Sequence, residues 1–209
     1  MRFDLHVHTR AGSEDATLDP LVAAERLQAL GYAGFALTEH NRPWAAADLA
    51  ALRRSTPLVV IGGVEVQTEE VGHVLVYGWD EEPLWRYHRL ERLVAAVRRK
   101  GAVAVAAHPL RRWFPPWLGG RAQGDPAEVE ALVPWLRQLN GVEVLNGRGC
   151  PEENRLAAAL AGRLGGLALA GSDAHAEGDL GRAATLLPAA SSPEEAVAAL
   201  QNGLGRVEG

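Results

Sequence analysis

Phe3-Asp4-Leu5-His6-Val7-His8 is a short run in which apolar and polar side chains alternate. In an extended strand, residues two apart share a face, so Asp4, His6 and His8 stand on one side and Phe3, Leu5 and Val7 on the other. Two imidazoles side by side can grip one cation, because each offers a neutral ring nitrogen with a directional lone pair. A pair of core histidines is the bland alternative, since histidine is only intermediate in its tendency to be buried. It loses ground because the pattern recurs.

Four more segments repeat the same grammar. Gly34-Phe35-Ala36-Leu37 ends in Thr38-Glu39-His40, and Leu58-Val59-Val60-Ile61 leads through Gly62-Gly63 to Val64-Glu65. Val103-Ala104-Val105-Ala106-Ala107 ends in His108-Pro109, and Leu167-Ala168-Leu169-Ala170 in Gly171-Ser172-Asp173-Ala174-His175. Continuous apolar runs of this length predict parallel strands buried on both faces. In such folds ligands sit at the carboxyl ends of the strands, where these polar clusters fall. Crossover helices are expected over Asp19 to Leu30, Leu84 to Arg99, Asp125 to Leu139 and Glu152 to Leu164, with a terminal helix from Pro193 to Gln201 capped by Ser191 or Ser192. With Val142-Glu143-Val144-Leu145 and Ala183-Ala184-Thr185-Leu186-Leu187 added, about seven strands are expected, in an α/β barrel one unit short of eight.

Composition fits one enzyme domain spanning residues 1–209. The chain is 47% hydrophobic, enough for a sizeable core, and no composition shift marks a second domain. A net charge of −5 argues against broad electrostatic capture of nucleic acid, leaving it a place only as substrate. No run is long enough to span a membrane and no signal peptide precedes the first strand, so a cytoplasmic location is the expectation, without membrane association. The only cysteine is Cys150, which excludes a disulfide framework. The stretch Arg111 to Gly124, with Trp113, Pro115, Pro116 and Trp117, reads either as a lid or as a loop folded onto the barrel rim.

The segments Asp4-Leu5-His6-Val7-His8-Thr9, Leu37-Thr38-Glu39-His40-Asn41, Gly63-Val64-Glu65, Ala107-His108-Pro109 and Gly171-Ser172-Asp173-Ala174-His175 resemble, in order, the motifs of the PHP (polymerase and histidinol phosphatase) superfamily. The resemblance implies a distorted (β/α)7 barrel of the TIM type, two or three divalent metals (zinc, manganese or iron), and phosphoester hydrolysis. It also implies a ligand set. His6, His8, Glu65 and Asp173 would hold one metal; Glu65 would bridge to a second held by His73 and His108; His40 and His175 would hold a third with Asp15, or with Glu14 in its place. Glu39 stands where relatives carry aspartate, which suits a supporting rather than a ligating role.

The chemistry of these residue types points the same way. A glutamate can bridge two cations, and paired metals can clamp the attacking and leaving oxygens of an in-line displacement while activating water near neutral pH. Glu65 would take that bridging part in catalysis, and His175 or His40 could protonate the leaving alkoxide only in the absence of a third metal. Asn146 and Arg148 follow the run Val142-Glu143-Val144-Leu145, and Arg10 and Arg42 follow the first two metal-bearing strands; all four are candidates for binding a small phosphorylated substrate, arginine by its planar fork of donors. Arg182 is read as orienting a carboxylate, Glu143 as a buried supporting acid or a salt-bridge partner, Asp4 as holding a ligand histidine by hydrogen bond, and His88 as an exposed helical residue. The expected activity is phosphomonoester hydrolysis on a small metabolite or nucleotide, histidinol phosphate among the candidates. The alternatives are a nuclease trimming short RNA or DNA ends and a metal-stabilised binding module without turnover.

Overall fold

A computed structural model describes residues 1–80, 84–114 and 126–208. The strands are β1 (Arg2–Val7), β2 (Gly34–Leu37), β3 (Val59–Thr68), β4 (Gly72–Tyr77), β5 (Val103–Ala106), β6 (Gly141–Asn146), β7 (Leu167–Gly171), β8 (Ala184–Leu186) and β9 (Arg206–Glu208). The helices are α1 (Pro20–Ala29), α2 (Ala46–Ser55), α3 (Leu90–Lys100), α4 (Pro126–Leu136), α5 (Pro151–Leu164) and α6 (Pro193–Gln201). The sheet runs β7-β6-β5-β4-β3-β2-β1-β8-β9. It curls until its ends nearly meet: Val7 bridges Ala174 in parallel, and the Thr185 hydroxyl bonds both the N–H and the C=O of Ala170 at 2.8 Å. The result is the expected α/β barrel of the TIM type, nearly closed. Gly171 lies at the seam, where a Cβ would stand 2.4 Å from that of His6.

The strand directions depart from the all-parallel expectation. The pairs β1–β2, β2–β3, β5–β6 and β6–β7 are parallel, but β4 is antiparallel to both β3 and β5. β3 and β4 form a hairpin through Glu69, Glu70 and Val71, too short a link for a crossover helix. Reversal has a use here: an antiparallel strand begins where its parallel neighbours end, so His73, second in β4, joins the cluster at the carboxyl end of the barrel. The run 183–187 forms β8, antiparallel to β1, with β9 beyond it.

Helix starts follow local grammar. α1 and α6 each begin with proline after a capping oxygen; Asp19 accepts from the N–H groups of Leu21 and Val22, and Ser192 from Glu195. α5 begins at Pro151 behind Cys150, whose sulfur accepts from Glu153 N. The expected helix over Leu84 to Arg99 is broken: a 3-10 turn, Leu84–Tyr87, precedes α3, whose first turn is fixed by Glu70 accepting from Leu90 N. α2 has no side-chain cap, and so gave no start signal. Trp113 and Phe114 are buried in the core under α3 and α4, and Trp113 Nε1 donates to Glu128. Pro115, Pro116 and Trp117, on which the lid reading turned, lie outside the described residues, as does the start of the helix expected from Asp125.

The barrel interior changes character along its axis. In β4, Leu75 and Tyr77 join the inner apolar cluster with Ile61, Val103, Val105 and Leu169, while Val74 and Val76 face the helices. The two-residue period carries that inner line of β4 up to His73, and that of β3 from Ile61 up to Glu65. Apolar packing therefore floors a polar upper layer. Among the described residues, no helix is long and apolar enough to cross a membrane.

Candidate metal centre

The polar layer is built from strand ends. His6 and His8 come from β1, Glu65 from β3, and Asp173 follows β7. The Nε2 atoms of His6 and His8 face each other 3.0 Å apart. Asp173 Oδ1 lies 3.5 Å from each of them. Glu65 reaches both, Oε1 at 3.5 Å from His6 and Oε2 at 3.4 Å from His8. Four donors at about 2.0 Å from a tetrahedral ion stand about 3.3 Å from one another. His6 Nε2, His8 Nε2 and Asp173 Oδ1 therefore have the spacing of ligands to a single divalent cation, with both oxygens of Glu65 beside them.

The donor chemistry fits as well. His6 Nδ1 lies 2.9 Å from Glu143 Oε1, and a carboxylate takes the proton there, so in the neutral ring the lone pair of Nε2 points into the cluster. Burial resists charge on His6, yet Glu143, Asp173 and Glu65 outweigh it and lift its pKa well above the ordinary value. Burial likewise opposes ionisation of Glu65 and Asp173; the charge of His6 and hydrogen bonds from the neighbouring histidines overcome it and hold both carboxyls well below the usual range. The pocket thus demands positive charge. Glu65 Oε2 is buried without an aligned hydrogen bond among the described residues: His40 Nδ1 is 2.8 Å away but off the line of one.

Two further groups surround this one. Glu65 Oε1 lies 3.2 Å from His73 Nδ1 and 3.1 Å from His108 Nε2, so the one carboxylate faces both groups as a bridge would. On the other side Asp15 Oδ2 lies 3.4 Å from His40 Nε2 and 3.1 Å from His175 Nε2. Of the two acids left open in the loop after β1, it is Asp15 that meets these histidines. Asn41, His108 and Asp173 have φ of 50°, 25° and 55°. Such backbone costs on the order of 1–3 kcal/mol per residue and persists only where the surroundings impose it. Glu65 O accepts from Asn41 N, and Glu143 Oε2 from His108 N, both at 2.8 Å.

Residues behind the candidate ligands fix their orientation. Glu143 holds His6 and the His108 backbone. Asn146 donates to Glu143 and Asp173 and accepts from Arg111 and from Arg148 N, so its amide is used within the protein rather than presented to a substrate. Asp179 accepts from the N–H groups of His175 and Ala176 and is held by Arg182 at 3.1 Å, the orienting role expected of that arginine. Asp4 differs from expectation. It accepts from the backbone N–H of His6 and Ser172, not from an imidazole, and burial raises its pKa to about 6.

Arg111 was missed. Its guanidinium spans Glu153 at 3.0 Å, Asn146 at 2.8 Å and Asp173 Oδ2 at 3.5 Å, which turns Oδ1 alone toward His6 and His8. The available signal was its position three residues after His108, one turn on, where its N–H bonds His108 O. Of the other arginines, exposed Arg148 places a guanidinium nitrogen 2.8 Å from His175 Nδ1. Arg10 instead pairs with Asp19 at the start of α1. Arg42 lines a separate cavity of about 920 Å³ between α2 and α6, in which none of the candidate ligands takes part. His88 is exposed, beside Glu69.

A family model described as PHP-associated matches residues 151–204, which hold α5, β7, the Asp173 and His175 segment, β8 and α6. No curated protein matches the chain. Several solved structures share the fold. A Bifidobacterium adolescentis protein provisionally identified as a metal-dependent phosphoesterase aligns with a TM-score of 0.61 at 19% identity, over 84% of this chain and 88% of its own. A two-domain protein of Bacteroides vulgatus containing a predicted PHP-like metal-dependent phosphoesterase aligns with a TM-score of 0.67 at 18% identity, over all of this chain and 64% of its own. An amidohydrolase from Chromobacterium violaceum, with bound sulfate and no metal, aligns with a TM-score of 0.66 at 21% identity, over 86% of this chain and 89% of its own. The family match covers only the carboxyl-terminal quarter of the chain, and the solved structures, all below 25% identity, show that it shares their fold.

Proposed function

We propose that this protein is a metal-dependent phosphoric ester hydrolase acting on phosphomonoesters of a small metabolite or nucleotide. The observation that carries the reading is the pair of Nε2 atoms of His6 and His8 at 3.0 Å, enclosed by oxygens of Glu65 and Asp173. His6, His8, Glu65 and Asp173 would hold one divalent ion, Glu65, His73 and His108 a second, and Asp15, His40 and His175 a third; zinc, manganese and iron all suit this donor set. Bound there, such ions supply Lewis acidity toward water and toward phosphoryl oxygens. Arg148, exposed beside His175, is the side chain best placed to pair with a phosphate. In the absence of a third ion, His175 or His40 would donate the proton to the leaving alkoxide. The tetrahedral oxyanion bound by the Chromobacterium violaceum neighbour supports an anionic substrate. We place the protein in the cytoplasm.

The test is metal content of the purified protein beside hydrolysis of p-nitrophenyl phosphate, histidinol phosphate, mononucleotides and short oligonucleotides, with and without manganese. Two or three bound metals and turnover of small monoesters are expected. Turnover confined to oligonucleotides would replace this reading with a nuclease, and bound metal without turnover would replace it with a binding module.

A further inference from the structure

Ser13 lies in the loop after β1 and is 2% exposed. Its hydroxyl has one proton and two lone pairs. Three groups meet it: Glu39 Oε2 at 2.6 Å, His40 N at 3.2 Å and His8 Nδ1 at 3.2 Å. Glu39 is an acceptor on every side, receiving the Thr9 N–H at 2.9 Å, the Thr9 hydroxyl at 2.5 Å and the Trp44 indole N–H at 2.9 Å. The serine proton is therefore committed to Glu39. The His40 N–H can only donate, which takes one lone pair. What remains for His8 is the second lone pair, so Nδ1 of His8 must bring the hydrogen.

We propose that Ser13, oriented by Glu39, sets the tautomer of His8, placing its proton on Nδ1 and leaving Nε2 bare toward His6, Glu65 and Asp173. Ser13 is thus a positioning residue. It does for His8 through a relay what Glu143 does for His6 by direct contact. The same hydroxyl binds the backbone of His40 and belongs to the loop that carries Asp15, so one side chain ties the first group of candidate ligands to the third. Gly12 lets the loop press close, since a Cβ there would stand 2.6 Å from Glu39 Cγ. The importance of the tautomer rests on the reading of His8 as a metal ligand; its existence does not.

Nitrogen-15 NMR of histidine-labelled, chelator-treated protein at pH 8 reads the tautomer directly. The wild type should show a protonated Nδ1 and a bare Nε2 at His8. Ser13→Ala should move the proton to Nε2 or give a mixture, and should weaken Zn²⁺ binding in chelator competition by about 10–100-fold, with helix content unchanged. Ser13→Thr, which keeps the hydroxyl, should restore both. Glu39→Gln, whose amide can donate to the serine, should partly release the tautomer, and it serves if Ser13→Ala does not fold. A wild-type His8 carrying its proton on Nε2 would overturn the proposal, as would Ser13→Ala that keeps Nδ1–H with undiminished zinc affinity. A wild type that binds no zinc would instead overturn the metal reading and leave the tautomer result standing.

Discussion

At the scale of single residues, the cluster shows how shared carboxylates organise several imidazoles. Glu65 faces five histidines, His6, His8, His40, His73 and His108, and its burial leaves it no water to compensate a lost partner. His8→Ala and Asp173→Ala should each lower metal content and abolish hydrolysis together; hydrolysis that survived the loss of metal would sink the proposed chemistry. Glu143→Gln tests the support of His6. The amide no longer accepts on both sides, and metal affinity should fall by about 10–100-fold, measured by chelator competition. Arg111→Ala leaves the Glu153 carboxylate, 2% exposed, without its guanidinium. That should cost about 3 kcal/mol in a denaturant melt, the usual penalty for breaking a buried pair from one side.

At the scale of elements, the seam between β1 and β7 joins fold to site. Gly171 packs against the backbone and Cβ of His6, so Gly171→Ala must push the strands apart just below the candidate ligands. A loss of about 1–3 kcal/mol is expected from overpacking, with weaker metal binding in the same variant. If stability fell while metal affinity stayed at the wild-type value, the seam would not be positioning His6. The reversed strand β4 makes a second point. Its sequence, Gly72-His73-Val74-Leu75-Val76-Tyr77, has the same apolar character as its parallel neighbours, and direction is not encoded in such a run. The short hairpin through Glu69, Glu70 and Val71 decides it, since three residues cannot return a chain to the starting edge of a parallel strand.

For the whole molecule, buried carboxylates gathered at one end of the barrel would make the fold and any metals bound there interdependent. Asp4, Glu39, Glu65, Glu143, Glu153 and Asp173 are all within a few per cent of full burial. An ion held only by the folded state at 100 times its dissociation constant adds about 2.7 kcal/mol. For a chain of this size that corresponds to a rise in Tm of roughly 5–10 °C. Removal of metal by chelator should lower the melting temperature by that amount, and restoring zinc or manganese should recover it. An unchanged Tm would mean that the site is met by protons and internal hydrogen bonds alone.

Local patterns in the chain were enough to read the barrel class, the strand ends that bear the ligand types, and the helix starts at Asp19 and at the Ser191-Ser192 pair, because each of these rests on a local period or a local hydrogen bond. The sequence also marked His6, His8, His40, Glu65, His108, Asp173 and His175, since histidines and acids recurring at the ends of apolar runs are a one-dimensional signal; His73 and the loop acid came only with the family resemblance. Tertiary structure alone decided which loop acid meets His40 and His175, that Asn146 is used inside the protein, that Asp4 holds backbone instead of imidazole, and that Arg10 and Arg42 turn away. It alone revealed Arg111 and the Ser13 relay. Those facts depend on distances between residues remote in the chain, such as Arg111 with Asp173 or Ser13 with Glu39, and a hydrogen bond leaves no period in the sequence when its partners come from different strands.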